Sequence, residues 1–200
     1  MANIQGPIGN YYDKFNTTNP IARKLMQGFI HTFLELFEQT DAQTILEIGC
    51  GEGEMLNIMQ VKPEIQLHGF DVDVPMLAQA QERFPSIPLT VMDGHHIAYR
   101  DQAFDLVIAC EVLEHVAHPA RVLAEAKRMS CQFAIFSVPR EPIWRVLNFA
   151  RGKYLSDFGN TPGHIQHWST NSFIAQVSEH FEVIEVRQPL PWTMVLCRIR

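Results

Sequence analysis

The chain has 200 residues, 46% of them hydrophobic and 19% charged, which predicts one compact domain spanning 1–200 with a core that needs no staples. A formal net charge of −6 leaves the surface as a whole unattractive to phosphate backbones, so nucleic acid is not the expected partner. No apolar run approaches the roughly 18–20 residues that span a bilayer. The opening MANIQGPIGNYYDKF lacks the basic and apolar regions of a secretory signal. Cys50, Cys110, Cys131 and Cys197 are widely spaced with no C-x-x-C pair, which reads as free thiols in a reducing compartment. The expectation is a cytoplasmic protein, monomer or homodimer, with no membrane contact.

Asn19-Pro20 reads as a helix start, with Asn19 as cap and Pro20 at the first helical position. Ile21, Leu25, Phe29, Phe33 and Phe37 then recur every fourth residue and predict one core-facing stripe on a helix over 20–38. A strand–helix alternation follows. Strands are expected at Ile45–Ile48, Ile65–Phe70, Leu89–Met92, Phe104–Cys110 and Phe133–Val138. Helices are expected from Glu54 to Gln60, from Pro75, and from Pro119 with Val122, Leu123, Ala126 and Met129 on one face. Residues 140–163 read as irregular. Ser169 or Thr170 then caps a helix, and Phe181–Arg187 and Thr193–Ile199 form a terminal hairpin across the Pro-Leu-Pro turn at 189–191. Such alternation means a parallel sheet covered on both faces, with an antiparallel hairpin appended.

The segment ILEIGCGEGEML at 45–56 carries the chemistry. A strand delivers the chain into Gly49, Gly51 and Gly53, glycines that permit a tight turn and close approach of a ligand to backbone. Asp71 ends the second strand, at the spacing of about 20 residues from which a carboxylate grips ribose hydroxyls. A dinucleotide fingerprint is G-x-G-x-x-G, whereas here Glu54 stands in the place of the third glycine. A pyrophosphate also needs a helix start free of carboxylates, yet this loop holds Glu47, Glu52 and Glu54. A ligand with a sulfonium and an ammonium suits it better.

This segment resembles the first motif of the class I S-adenosylmethionine-dependent methyltransferases, E/D-x-G-x-G-x-G. The resemblance continues through GFDVDVPMLAQA (69–80), VMDGHHIAY (91–99) and FDLVIACEVLEHV (104–116), in the family's order over about residues 44–138. It implies an α/β Rossmann-like three-layer αβα sandwich, with a seven-stranded mostly parallel sheet in the order 3-2-1-4-5-7-6 and strand 7 antiparallel. It implies S-adenosylmethionine as cofactor and S-adenosylhomocysteine as product, held by Glu47, Gly49, Cys50, Gly51, Gly53, Asp71, Val72, Met76, Asp93, Gly94, Cys110 and His115. Asp71 matches the ribose-binding acid and Asp93 the residue that meets the adenine amino group. The opening NYYDKF and the helix 20–38 are similar to the N-terminal lid of small-molecule methyltransferases of the ubiquinone-biosynthesis type. That likeness makes residues 1–40 a lid region and Tyr12 a cofactor-closing aromatic, with packing against the first helix as the equal alternative.

A hydroxyl acceptor must lose its proton, and histidine is the natural base near neutral pH. The candidates are His115, His164 and His167, with bracing of the loop as the alternative role for His115. Both H-x-x-H pairs, 115–118 and 164–167, lack a matching Cys or carboxylate set in the sequence, so no metal is expected. Residues 139–168 hold Arg140, Arg145, Arg151 and Lys153 against Glu141 and Asp157, with five aromatics. This reads as a substrate-lid insertion for an anionic or aromatic small molecule; the alternative is a flap that sets no specificity. The fourth strand ends in CEVLEH rather than D/N-P-P-Y/F or Pro-Cys, which argues against methylation of adenine, glutamine or cytosine C5. Behind a small-molecule hydroxyl stand a protein or RNA acceptor, an NAD-type oxidoreductase and a non-catalytic cofactor-binding scaffold.

Overall fold

The computed structural model describes residues 17–60 and 64–200; Tyr12 and the NYYDKF segment lie outside them. Seven strands form one sheet in the order β3-β2-β1-β4-β5-β7-β6. They are β1 (Thr44–Ile48), β2 (Gln66–Asp71), β3 (Leu89–Val91), β4 (Phe104–Cys110), β5 (Ser130–Pro139), β6 (Glu182–Arg187) and β7 (Trp192–Arg198). The first five pair in parallel, and β7 runs antiparallel to both β5 and β6. The expected order and the antiparallel terminal hairpin are both present.

Strand alternation sorts the core into two halves. Ile45, Leu106, Ile108, Ile135, Met194 and Leu196 point to one face, where α1 (Pro20–Glu38), α2 (Glu54–Met59) and α3 (Val74–Arg83) pack. Leu46, Val107, Ala109, Phe136, Val195 and Cys197 point to the other, under α4 (Pro119–Met129) and α6 (Thr170–Ser178). Glu47 shares the parity of Ile45 and is buried all the same, at 3% exposure. A carboxylate there interrupts an otherwise apolar strand.

In α1 the Asn19 side chain accepts from the backbone N–H groups of Ile21 and Ala22 at 2.9 and 3.2 Å, as the cap position predicts. The buried stripe is Met26, Phe29, Phe33, Leu36 and Phe37, while Ile21 is 69% exposed. Every-fourth spacing drifts by about 40° per step on a 3.6-residue helix, so the N-terminal end of the expected stripe rotates off the core. Ser169, rather than Thr170, caps α6.

Residues 140–163 are less irregular than expected. They contain α5 (Ile143–Ala150) and a 3-10 turn at Leu155–Asp157. The segment is bracketed by a bridge between Arg140 and Trp168. Of α5, only Asn148 is buried; its amide donates to the Gly159 carbonyl at 2.9 Å and to the Thr161 hydroxyl at 3.1 Å. Val146 and Phe149 on the same helix are exposed.

Candidate active site

The carboxyl ends of β1, β2 and β4 open onto a cavity of about 460 Å³, inside the range of roughly 300–1,000 Å³ typical of small-molecule sites. Its floor is the loop from β1 to α2. Gly49, Gly51 and Gly53 all have positive φ, at 67°, 51° and 77°, a conformation that costs other residues free energy. A Cβ on Gly49 would stand 2.6 Å from Val112 Cγ2, so the backbone there has no room for a side chain.

Asp71 holds this floor in shape. One carboxylate oxygen accepts from the Gly51 N–H at 2.9 Å and the other from the Asp73 N–H at 2.9 Å. Each oxygen carries two lone pairs, which leaves capacity for ligand hydroxyls. The Cys50 N–H donates to the Phe70 carbonyl at 3.0 Å and ties the loop to β2. Below lies Glu47, whose Oε2 is buried without a hydrogen-bond partner. Burial first, then the negative charge of Asp71, pushes the Glu47 carboxyl well above the ordinary range. Burial likewise pushes up the thiols of Cys50 and Cys110.

Six carboxylates line the cavity (Glu47, Glu52, Glu54, Asp71, Asp93, Glu111), and no Lys or Arg does so among the described residues. Glu54 is partly spoken for by Arg83 at 2.5 Å, so the loop's acidity rests more on the others than the sequence suggests. Such a lining repels a pyrophosphate and suits a ligand with a sulfonium and an ammonium group. An orphaned carboxylate oxygen at the glycine loop and a cradle that excludes a side chain both fit S-adenosylmethionine.

Val72, Met76, Asp93, Gly94, Cys110 and His115 line the cavity with Gly49, Cys50 and Gly51, whereas Gly53 does not and faces Phe84 and Ala80. Asp93 is exposed at the rim, where its carboxylate accepts from the His95 N–H at 2.9 Å and meets His95 Nδ1 at 2.7 Å. Burial alone pushes that carboxyl upward, but these hydrogen bonds outweigh it and hold it below its ordinary range.

The three expected histidines do not converge equally. His115 lines the cavity, with Nδ1 3.0 Å from the Gly163 carbonyl. His164 lies behind it, buried, with ring centres 4.9 Å apart. His167 does not line the cavity; it is exposed, with Nε2 2.8 Å from Asn160 Oδ1. None of Arg140, Arg145, Arg151 and Lys153 lines the cavity either. The charge of 139–168 therefore does not carry over to the pocket.

Several lining residues lie outside the set that sequence reasoning proposed. Met26 and Phe29 come from α1, Trp192 opens β7, and Glu111 follows β4 in a left-handed conformation with φ 61°. A non-glycine residue held there marks stored strain of the kind found at functional sites, and nothing in the one-dimensional pattern shows it.

Comparison with known proteins agrees with this geometry. A family model described as a methyltransferase domain matches residues 46–135. A probable tRNA methyltransferase 9B from Bos taurus is 28% identical over 122 residues, 60% of this chain and 25% of its own length. A malonyl-[acyl-carrier protein] O-methyltransferase from Anoxybacillus flavithermus is 27% identical over 117 residues, 57% of this chain and 42% of its own. The chain thus spans less than half the length of these curated relatives. Magnesium protoporphyrin IX methyltransferase from Synechocystis PCC 6803, solved with bound SAH, superposes with a TM-score of 0.69 over 95% of this chain and 91% of that one, at 14% identity. That likeness is one of fold. The domain match over residues 46–135, the strand order and the motifs together make the chain similar to the class I S-adenosylmethionine-dependent methyltransferases.

Proposed function

We propose that the protein transfers a methyl group from S-adenosylmethionine to a hydroxyl oxygen of a small, apolar or aromatic acceptor. The observation that carries this reading is the composition of the cavity beyond the glycine loop. Met26, Phe29, Trp192 and Ile165 supply an apolar wall, and His115 stands beside it. An acidic lining disfavours a polyanionic acceptor such as RNA, and it replaces the anionic acceptor suggested by the charge of 139–168.

In this reading Glu47 meets the ammonium of the cofactor's methionine end, above the backbone of Gly49, Cys50 and Gly51. Asp71 takes the ribose hydroxyls, with Val72 and Met76 alongside. Asp93 and Gly94 meet the adenine, and Cys110 and His115 close the side nearest the acceptor. The bound cofactor supplies an electrophilic methyl carbon, so the protein's work is alignment and removal of one proton. His115 faces that proton. With Nδ1 against a carbonyl, which only accepts, its Nε2 presents a lone pair. Residues 139–168 act as a lid that lends the wall Ile165 and shields the acceptor from water.

Calorimetry with S-adenosylhomocysteine and NAD, followed by an acceptor screen of phenols, aliphatic alcohols, carboxylic acids and a tRNA fraction, tests this. Micromolar binding of the first ligand alone and turnover of neutral phenols or alcohols are expected. Turnover of tRNA only would overturn the acceptor assignment, and binding of NAD alone would overturn the cofactor assignment.

A further inference from the structure

We propose that Glu114, His115 and His164 form a binding site for a divalent transition-metal ion at the acceptor end of the cavity. Each of the three offers one ligand atom, and these atoms all lie within 4.8 Å of one another. Glu114 and His164 are buried, at 1% and 5% exposure, and His115 is half-buried at the cavity wall. The first histidine of each H-x-x-H pair enters this cluster, whereas His118 and His167 are exposed. The carboxylate missing from the sequence pattern is Glu114, the neighbour of His115 in the chain.

Three features of the surroundings aim these groups. The Gly163 carbonyl 3.0 Å from His115 Nδ1 requires the proton on Nδ1 and leaves Nε2 as the ligand atom, 4.0 Å from Glu114 Oε1. Metal-binding imidazoles are commonly oriented this way, by donation from the other ring nitrogen to a carbonyl. The Glu114 carbonyl accepts from the N–H groups of Ile165 and Gln166 at 2.9 and 3.1 Å, which clamps the His164 segment onto the turn that carries Glu114 and His115. The Trp144 ring stacks on His164 with centres 5.7 Å apart and planes at 28°. Gly163 itself has φ 88°, and a Cβ on it would press on His115 Nδ1 at 3.3 Å.

Two imidazoles and one carboxylate select zinc, cobalt, manganese or iron over magnesium and calcium, which prefer all-oxygen sets. Ligand atoms at about 2.0–2.2 Å from the ion require the side chains to draw together by about 1 Å, within the reach of small χ rotations. Three protein ligands leave an open position, and His115 turns it toward the cavity. Glu111, just beyond β4, adds a further carboxylate to the lining of the same cavity.

The consequence for turnover rests on the methyl-transfer reading; binding of the ion does not. With the ion bound, His115 Nε2 is a ligand and not the base, and the ion takes over that role by acidifying an acceptor hydroxyl in the open position. Its proton then passes to water, the oxygen–methyl bond forms, and the sulfur–methyl bond breaks with its electron pair left on sulfur.

Chelator-treated protein titrated with Co²⁺, followed by visible absorption, reads the site directly, with calorimetry of Zn²⁺ in parallel. One ion per chain is expected, with affinity reduced at least tenfold in Glu114→Gln and in His164→Asn, and unchanged in His118→Asn. No visible band in the wild type, or equal affinity in all variants, would overturn the site. Titration of the same samples with S-adenosylhomocysteine keeps the readings apart. Retained binding there shows that a variant is folded, while loss in the wild type alongside intact Co²⁺ binding would remove the cofactor reading and leave the ion site standing.

Discussion

The Trp192 indole N–H donates to Oε2 of Glu111 at 2.7 Å, joining the start of β7 to the end of β4 across the intervening β5. The same indole meets Phe29 of α1 edge-on, with ring centres 5.0 Å apart. One side chain therefore sets the left-handed residue at the tip of β4, the apolar wall and the position of α1. Trp192→Phe keeps an aromatic ring and removes the donor. Hydrogen bonds to charged groups contribute about 1.5–3 kcal/mol, so chemical denaturation will show a loss of that order. Acceptor KM will rise severalfold while S-adenosylhomocysteine affinity stays within twofold. An unchanged KM would remove Glu111 and Trp192 from the acceptor wall.

Gly49→Ala tests the floor. Its Cβ would meet the stiff, β-branched Val112 at 2.6 Å, in a backbone with φ 67°, and both the conformation and the clash must be relieved by moving the loop. Strain of this kind costs about 1–3 kcal/mol. Affinity for S-adenosylhomocysteine will fall at least tenfold by calorimetry. Wild-type affinity would show that the ligand does not approach this backbone.

Acid will weaken the fold in two stages. Burial lowers the proton affinity of His68, packed edge-on by Phe104 at 5.4 Å, and of His180. Each is neutral in the folded chain at a pH where the unfolded chain is protonated, so stability declines as pH falls through about 6.5, the unfolded value. At lower pH Asp105 adds to the decline. Burial pushes its carboxyl upward, but hydrogen bonds from Thr44 and Gln43 outweigh this and hold it below the usual carboxylate range. Stability it contributes at neutral pH is lost as pH falls through its folded value. Urea denaturation at pH 8, 7 and 6 will show the first stage, and His68→Leu will flatten the slope between pH 7 and 6. An identical slope in the variant would assign that stage to other groups.

The strands, the glycine loop and the acid at the end of β2 were legible because each rests on local pattern, whereas the strand order came from the family resemblance. Buried parallel strands are continuous apolar runs, and a turn with three positive φ angles calls for glycine. Helix α5 was overlooked although Ile143, Val146, Leu147 and Ala150 stand at helical spacing, because the segment is short and flanked by Pro142 and Gly152; in the fold its Val146 and Phe149 are exposed and its Asn148 is buried. The cluster of Glu114, His115 and His164 was half legible. His115 and His164 are 49 positions apart in the chain, and the bonds from Ile165 and Gln166 to the Glu114 carbonyl, with the Gly163 carbonyl against His115, bring them together. The basic residues of 139–168 misled because composition gives their charge and not their direction. Arg145 lies beside Glu141 and Arg140 beside Gln188, away from the cavity.

Helix α1 both lines the cavity, through Met26 and Phe29, and seals the core, through Phe33, Leu36 and Phe37. Trimming either lining residue to admit a bulkier substrate removes buried contacts at about 2–5 kcal/mol, out of a total stability of about 5–15 kcal/mol for an ordinary domain. Ile165, 55% exposed in the same cavity lining, carries no such penalty. Divergence toward new substrates in descendants of this sequence should therefore accumulate at the rim around position 165, with α1 changing late and only after stabilising substitutions elsewhere.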